Sequence, residues 1–371
     1  MAKAYDVAVI GAGVFGAWTA YSLRRAGARV LLVDAYGPGN SRASSGGESR
    51  IIRLGYGPNE IYTRSAQRSL ALWKQLFEEI GPQTVPLFQN TGVLWLAGAR
   101  DAYCEAVLST LQRVGARIEE LDRDEMVHRF PQIELHQEAW GLFEPDAGIL
   151  MARRALQAVV ARAREIGVDY LQAQVTSETR IDADRLVFAC GPWLPKLFPG
   201  LLGDLIHVTR QEVFFFGVPP GDGRFEPPSL PAWIDFNDLV YGIPNLDGRG
   251  FKMAIDAHGP EFDPDKDERV VSQEGLAAAR AYLARRMPLL ANAPVLETRV
   301  CQYENTSNGD FLIDRHPEVE NIWFLGGGSG HGFKHGPVVG EYATAMISGA
   351  GTPEPRFSLA TKQRVQHRQV Y

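Results

Sequence analysis

The chain has 371 residues, of which 45% are hydrophobic and 22% are charged. This length exceeds one ordinary core and predicts two domains, and these fractions are typical of a folded globular protein rather than a disordered chain. The net charge of −6, with no stripe of Lys and Arg, argues against a nucleic-acid partner, because binding a phosphate backbone needs a basic surface.

Three widely spaced cysteines, Cys104, Cys190 and Cys301, fit neither a disulfide framework nor a paired metal site. We therefore expect a protein of the reducing cytoplasm that holds no metal. The apolar N-terminus contains Asp6 and lacks the cleavage pattern of a signal peptide. Because no stretch approaches the roughly 20 apolar residues that cross a bilayer, no membrane association is expected.

The first elements in chain order form a βαβ unit. Residues 5–10 are an apolar run rich in β-branched side chains, residues 14–26 have a helical pattern, and residues 28–33 are a second apolar run. Residues 37–47 are rich in Gly, Ser and Pro, which predicts a functional loop. The later elements that the pattern predicts are a helix over 60–80, a strand over 92–96, a helix over 99–114, a helix over 152–167, strands over 185–189, 213–218, 239–243 and 251–255, a helix over 273–286, a strand over 322–325 and a helix ending near 347.

The first strand leads into a G-x-G-x-x-G pattern formed by Gly11, Gly13 and Gly16. The first glycine permits a tight turn, the second lets the backbone approach a pyrophosphate, and the third lets helix and strand pack closely. Asp34 ends the second strand 18 positions after Gly16, where a carboxylate accepts the hydroxyls of a ribose. The unit predicts a dinucleotide site, and this motif alone leaves NAD and FAD open.

Two later segments favour FAD. The run from Phe188 to Trp193 resembles the second cofactor-contacting segment of glutathione-reductase-type flavoproteins, which an NAD dehydrogenase would not need. The run from Gly326 to Lys334 is rich in glycine and leads into a helix. Its backbone N–H groups are not shielded by side chains, so they can approach an anionic flavin edge. The predicted cofactor contacts are Gly11, Gly13, Val14, Phe15, Gly16, Asp34, Ser44, Ser45, Arg50, Cys190, Gly191, Trp193, Cys301, Gly328, Gly330, His331, Gly332, Phe333 and Lys334.

These patterns predict an α/β chain, α+β overall, with a Rossmann-like FAD-binding domain of the glutathione-reductase type. The second domain is expected to carry the substrate on a mainly antiparallel sheet with helical cover. The predicted division gives residues 1–83, 147–208 and 298–371 to the FAD-binding domain, and residues 84–146 and 209–297 to the substrate domain.

The motifs along almost the whole chain are similar in order and spacing to those of monomeric sarcosine oxidase and N-methyltryptophan oxidase, a family of D-amino-acid-oxidase-like flavoproteins. Members of that family oxidise a C–N bond of a secondary or N-substituted amino acid by hydride transfer to flavin N5. The imine hydrolyses, and oxygen takes the electrons as hydrogen peroxide. The resemblance therefore implies a small N-substituted amino acid and molecular oxygen as partners. It is carried by residues 11–16, 47–53, 241–244, Lys252, 300–303, 311–314 and 329–334.

The resemblance also implies roles for single residues. Cys301 matches the family cysteine that joins the flavin 8α-methyl through a thioether, which implies covalent FAD. Arg53 and Lys334 match the pair that grips the substrate carboxylate through a guanidinium fork and an ammonium. Lys252, in an apolar strand, matches the lysine that activates oxygen, and Arg50 matches the arginine beside the isoalloxazine ring.

Tyr241 matches an active-site tyrosine beside the substrate, but two other positions depart from the family. A His-His-Gly sequence precedes the equivalent of Arg50 in the family, whereas this chain has Ser and Gly over residues 44–47. The family histidine four residues past the oxygen-activating lysine is here Asp256, which we predict as a substrate contact, with His258 two positions further on. Because both departures change volume and charge near the substrate amine, sarcosine itself is not implied. A carboxylate at position 256 favours a cationic or hydroxyl-rich substituent on nitrogen.

Two other functions stay open on the sequence. A dehydrogenase would pass electrons to a quinone or carrier protein, and Lys252 argues for oxygen instead. A flavin-binding module without turnover is the second, and the presence of Arg50, Arg53, Lys252 and Lys334 argues against it. No residue is identified as the base for the amine, and a monomer or small homo-oligomer is expected.

Overall fold

The computed structural model of the chain describes residues 3–98, 101–176, 178–368 and residue 370. The helices are α1 (Val14–Arg25), α2 (Glu60–Glu79), α3 (Ala102–Arg113), α4 (Arg123–Arg129), α5 (Ala152–Glu165), α6 (Leu194–Leu197), α7 (Pro199–Leu202), α8 (Gln273–Arg286) and α9 (Gly336–Ile347). The strands are β1 (Tyr5–Ile10), β2 (Val30–Asp34), β3 (Arg50–Ile52), β4 (Phe88–Gln89), β5 (Val93–Ala97), β6 (Glu119–Leu121), β7 (Trp140–Glu144), β8 (Gly148–Leu150), β9 (Asp169–Gln172), β10 (Ala183–Phe188), β11 (Ile206–Phe216), β12 (Ala232–Asp235), β13 (Val240–Ile243), β14 (Phe251–Ile255), β15 (Val295–Thr306), β16 (Leu312–Arg315) and β17 (Ile322–Gly326).

A six-stranded sheet, parallel except for β16, has the order β16-β17-β10-β1-β2-β9. The strands β1, β2 and β17 are largely apolar and buried, as expected where both faces of a sheet are covered. Val9 packs in the core with α1, while Ile10 packs with Phe188 on the opposite face. The β1–α1 loop and the corner after β10 therefore leave the sheet at the same carboxyl edge, where nucleotides bind in such folds.

An eight-stranded sheet has the order β15-β11-β14-β13-β12-β5-β7-β6 and is antiparallel except between β12 and β5. Helix α8 packs on one face, where Tyr282 and Leu283 join Trp233 and Phe251 in the core. The long pair β11–β15 sets Cys301 opposite Gln211. A short third sheet, β3-β8-β4, carries Arg50. The predicted fold class, with two sheets of different character, is confirmed.

Element bounds agree closely in some places and differ in others. β14 and α8 have the predicted bounds, whereas β15 was not predicted as a strand. The helix predicted from residue 99 is α3, which begins at Ala102, and residue 99 itself lies outside the described part. All strands of the six-stranded sheet fall in the ranges assigned to FAD binding, while the boundaries at 208 and 297 fall inside the continuous strands β11 and β15. The domain division remains a prediction. Within the described ranges, no helix combines the length and apolarity that crossing a bilayer requires.

Candidate flavin and substrate site

A long cavity follows the carboxyl edge of the six-stranded sheet, and both Asp34 and Cys301 line it. His331 and Lys334, predicted as cofactor contacts, line a neighbouring cavity instead, and Gly16 lies against the backbone of Gly11. The predicted cofactor contacts that line the long cavity are Gly11, Gly13, Val14, Phe15, Asp34, Ser44, Ser45, Arg50, Cys190, Gly191, Trp193, Cys301, Gly328, Gly330, Gly332 and Phe333.

The glycine loop at this cavity has the form that a pyrophosphate needs. Gly11 has φ +104°, and a Cβ there would lie 2.3 Å from the carbonyl oxygen of Ala189. A Cβ on Gly16 would lie 1.9 Å from the carbonyl oxygen of Gly11, so these two glycines serve the close packing of loop and helix. A Cβ on Gly13 would meet only Ser45 Oγ, at 3.6 Å. Because Gly13 borders open space at the N-terminus of α1, the cavity fits the pyrophosphate of FAD.

Asp34 holds together two loops beside the cavity, the β1–α1 loop and the loop that follows β2. Its carboxylate accepts hydrogen bonds from the backbone N–H groups of Ala12 at 2.7 Å, Tyr36 at 2.9 Å and Gly37 at 2.8 Å. These bonds fix the carboxylate at the edge of the cavity, where an adenosine ribose would lie. Asp34 therefore organises two loops in addition to the role that the motif predicts.

A second cavity adjoins the first and is lined by all four predicted substrate residues, Arg53, Tyr241, Asp256 and Lys334. Four residues line both cavities: Arg50, Cys301, Tyr303 and Gly330. Arg50 Nη2 lies 3.6 Å from Cys301 Sγ and donates to the carbonyl oxygen of Ser44 at 2.9 Å. Arg50 and Cys301 thus mark the junction of the two cavities.

Two buried cations, Arg53 and Lys334, line the substrate cavity. Lys334 Nζ donates to the hydroxyl of Tyr56 at 2.9 Å and to the carbonyl oxygen of His331 at 3.1 Å. The guanidinium of Arg53 lies 4.3 Å from the ring centre of Tyr56 and 4.9 Å from that of Trp95. Burial, together with the charge of Arg53, holds the pKa of Lys334 well below its usual range. A bound carboxylate would stabilise both cations.

Glu144, which no sequence motif indicated, supports this cationic pair. Its buried carboxyl group accepts hydrogen bonds from the N–H of Leu54 at 2.6 Å, the N–H of Gly55 at 3.2 Å and the indole of Trp95 at 2.7 Å. Burial raises the pKa of Glu144, against the opposing effect of those donors and of Arg53. Glu144 therefore positions the backbone after Arg53 and one wall of the cavity.

Tyr56 and two histidines continue the network behind Lys334. The hydroxyl of Tyr56 lies 2.7 Å from His335 Nε2 and 3.3 Å from His331 Nδ1. His331 Nε2 in turn lies 2.9 Å from the carbonyl oxygen of Gly309. Burial and the nearby cation Lys334 hold the pKa values of both histidines well below their usual range. The imidazoles are therefore neutral near pH 7.

Asp256 forms an ion pair that the sequence did not reveal. Its Oδ2 lies 3.0 Å from Arg368 Nη2, and its Oδ1 accepts a hydrogen bond from the hydroxyl of Tyr303 at 2.9 Å. Arg368 also donates to the carbonyl oxygen of Asp256 at 3.1 Å. Asp256, Tyr303 and Arg368 all line the substrate cavity. Arg368 therefore supplies a charged group to the site, although it follows Asp256 by 112 positions in the sequence.

Tyr241 and Lys252 approach the junction from different cavities. Tyr241, on β13, lines the substrate cavity, and burial raises its pKa to about 12, so its hydroxyl keeps its proton. Lys252, on β14, is 2% exposed and lines a small third cavity together with Arg50 and Cys301. Its Nζ donates to the carbonyl oxygen of Ser49 at 2.7 Å. Burial and the charge of Arg50 hold the pKa of Lys252 well below its usual range.

Comparison with known proteins decides the family. Residues 6–346 match the family described as FAD dependent oxidoreductase. The chain belongs to that family. It is 31% identical over 395 residues to the monomeric sarcosine oxidase of Bacillus sp. strain B-0618, a match that covers 98% of this chain and 97% of that protein. It is 32% identical over 362 residues to the N-methyl-L-tryptophan oxidase of Salmonella arizonae, covering 91% and 93% of the two chains.

A solved structure in the same fold is the fructosamine oxidase of Aspergillus fumigatus, Amadoriase II. It shares 22% of its sequence with this chain at a TM-score of 0.79, covering 97% of this chain and 90% of that one. The relatives confirm the expected resemblance, and the protein is an FAD-dependent enzyme of the amine and amino-acid oxidase family. The roles of single residues remain predictions.

Proposed function

We propose that this enzyme oxidises a C–N bond of an N-substituted glycine or another secondary amino acid and passes the electrons to oxygen. The observation that carries the proposal is the pair of buried cations, Arg53 and Lys334, beside the junction marked by Arg50 and Cys301. Buried cations are costly unless a ligand or partner offsets them, and an amino-acid carboxylate has the charge and planar geometry for both. Relatives named for sarcosine and N-methyltryptophan oxidation support the same substrate class.

The residues position the substrate for the reaction. Arg53 and Lys334 hold its carboxylate, Tyr241 lies alongside, and the C–H next to nitrogen points toward the junction. FAD bound there supplies the hydride acceptor at N5 and, once reduced, the two electrons that convert oxygen to hydrogen peroxide. The substrate amine loses its proton and becomes an imine, which water hydrolyses. The cavity is rich in positive charge, which lowers the pKa of the bound amine and favours the neutral, reactive form.

The two remaining cations act on the electron path. Arg50 lies at the junction, where positive charge stabilises reduced, anionic flavin. Lys252 reaches the junction from the third cavity and stabilises the negative charge that develops as oxygen accepts its first electron. Cys301 would hold the flavin through a thioether to its 8α-methyl. Forming that link would remove the thiol hydrogen and one methyl hydrogen, with oxygen as the acceptor of the two electrons.

The ion pair of Asp256 with Arg368 gives the N-substituent a polar environment. The pair offers both donors and acceptors at the wall of the substrate cavity, whereas a methyl group uses neither. We therefore assign the enzyme substrates whose N-substituent carries hydroxyl or other polar groups. We keep the cytoplasm as the proposed location.

A substrate screen under air tests the proposed function. Purified enzyme is mixed with N-methyl, N-hydroxyalkyl and N-carboxyalkyl amino acids while oxygen uptake and hydrogen peroxide are measured. One peroxide per oxygen consumed, with an N-substituted amino acid and not with the corresponding primary amino acid, supports the proposal. Rapid reduction of an artificial acceptor without peroxide would show a dehydrogenase instead.

A further inference from the structure

Glu304 lines the FAD cavity, on β15 three residues after Cys301. Its side chain is buried between the corner after β10 and the C-terminal glycine loop. A Cβ on Gly191 would lie 3.7 Å from Glu304 Oε2, and a Cβ on Gly328 would lie 3.3 Å from Oε1. Both glycines line the cavity, so the carboxyl group stands between the two later segments that favoured FAD in the sequence.

One oxygen of this carboxyl group lacks a partner. Oε1 accepts a hydrogen bond from the N–H of Gly328 at 3.3 Å. Oε2 is buried and forms no hydrogen bond with any residue in the part of the chain that the structure describes. Buried polar groups are nearly always hydrogen-bonded, because leaving one unpaired is costly. Because Glu304 lines the cofactor cavity, this incompletely satisfied carboxyl group points to a partner on the cofactor.

The surroundings favour the neutral acid. Burial raises the pKa of Glu304 to about 7, against the lowering effect of the N–H groups of Gly328 and Gly327. From the β10 corner the titratable neighbour is Cys190, and burial, with Asp34 and Glu304, raises the pKa of its thiol, which stays uncharged. The C-terminal glycine loop contributes only backbone N–H groups, those of Gly327 and Gly328, to the surroundings of Glu304. FAD adds an anionic pyrophosphate and displaces water, and both effects disfavour a carboxylate.

We propose that Glu304 is a cofactor-positioning residue that, as a neutral acid, hydrogen-bonds to a hydroxyl of the ribityl chain of FAD. The position along the cavity supports this assignment. The N-terminal glycine loop, which contains Gly11 and Gly13, binds the pyrophosphate, and Cys301 lies at the part of the cavity that holds the flavin ring. Three residues of extended strand span about 10 Å, so Glu304 lies within about that distance of Cys301, and its carboxyl group lies beside Gly191 and Gly328 of the same cavity. A protonated carboxyl group both donates and accepts, as a hydroxyl does. The inference requires FAD in the cavity but neither the thioether nor oxidase activity.

The test measures FAD affinity against pH in a chain whose cofactor exchanges freely. A Cys301→Ser background provides it, or the wild-type chain if its FAD is releasable. Flavin fluorescence gives the Kd from pH 6 to 8.5 with Glu304, Glu304→Gln and Glu304→Leu. With Glu304, the Kd should rise above pH 7 by up to about tenfold per pH unit, because binding requires the proton. With Glu304→Gln the Kd should stay near its low-pH value throughout, since an amide is neutral and hydrogen-bonding.

Glu304→Leu should bind FAD about tenfold more weakly at pH 6, because it removes the hydrogen bond and keeps the volume. Asp310→Asn is the matched control, since Asp310 is another buried carboxyl group whose pKa burial raises, but it binds Tyr62 outside the FAD cavity. That variant should keep the pH dependence. An equal pH dependence in Glu304→Gln, or unchanged affinity in Glu304→Leu, would overturn the proposal.

Infrared spectroscopy of the native holoenzyme gives a second measurement that does not need exchangeable FAD. At pH 8 the holoenzyme should show the carbonyl band of a protonated carboxylic acid that is absent from Glu304→Gln. Absence of any such difference would equally contradict the proposal.

Discussion

Arg50 Nη2 lies 3.6 Å from Cys301 Sγ, and the two residues together border the cofactor cavity, the substrate cavity and the small cavity of Lys252. The sulfur therefore lies beside a guanidinium group at the junction of the cavities. The fold therefore brings the residue predicted to bind the flavin covalently to the one point that all three cavities share.

The first prediction concerns this cysteine. Acid precipitation of the wild-type protein should leave the yellow flavin in the pellet, because a thioether survives denaturation. Cys301→Ser should release FAD into the supernatant, while Cys190→Ser should behave as wild type, since Cys190 lines the cofactor cavity but neither of the two cavities that Cys301 also borders. If the wild-type protein instead releases its FAD into the supernatant, the covalent link is refuted, although FAD binding itself is not.

Removing either cation of the substrate pair should weaken carboxylate binding. Arg53→Met or Lys334→Met should lower kcat/KM by about 10- to 100-fold, the worth of a hydrogen bond to a charged group. Steady-state kinetics should show the loss with amino-acid substrates and a much smaller loss with an N-methyl amine that has no carboxylate. Arg68→Met is the control, since Arg68 pairs with Glu341 at the surface. Equal losses with both substrates would remove Arg53 and Lys334 from the carboxylate site.

Lys252 should affect the reaction of the reduced flavin with oxygen and not the reduction of the flavin by substrate. Lys252→Met should slow reoxidation of the reduced flavin by roughly 100-fold or more and leave anaerobic flavin reduction nearly unchanged, as expected for loss of an electrostatic contact. Rapid mixing separates the two half-reactions. Lys252→Arg keeps the charge and should recover part of the rate. A slow reductive half-reaction in Lys252→Met would contradict this role.

The oxygen reaction should also depend on pH through Lys252. Burial and Arg50 hold the pKa of Lys252 below its usual value, so the folded protein loses this ammonium proton at a lower pH than a free lysine does. The reoxidation rate should therefore fall as pH rises through that lowered pKa, and it should be restored at low pH. In Lys252→Arg the same measurement should show little change, because a guanidinium keeps its proton.

Arg368 should set the preference for the N-substituent. Arg368→Met breaks the ion pair with Asp256 and should lower, by about tenfold, the ratio of kcat/KM for N-hydroxyalkyl over N-methyl substrates. Arg364→Met, in the same terminal segment but paired with Asp204 at the surface, should leave the ratio unchanged. An unchanged ratio in Arg368→Met would show that the pair does not contact the substituent.

The local elements of this fold follow well from the sequence. The glycine motif, β14 and α8 depend on patterns within a few residues, so their positions were predictable. β15 was not, because charged and polar residues alternate along it and only its pairing with β11 makes it a strand. Glu144, Tyr56 and Arg368 were missed for a related reason. Each reaches the site through contacts between distant parts of the chain. A single polar residue in one sequence does not predict such a contact.

The central claim is that an N-substituted amino acid reduces the flavin and that oxygen then removes the electrons. The most direct measurement is to mix the purified enzyme with substrate under anaerobic conditions, follow the flavin absorbance, and then admit air. We expect bleaching of the oxidised flavin, rapid return of its colour with oxygen, and one hydrogen peroxide per flavin reoxidised. Flavin that no N-substituted amino acid bleaches, or that bleaches and stays reduced in air, would contradict it.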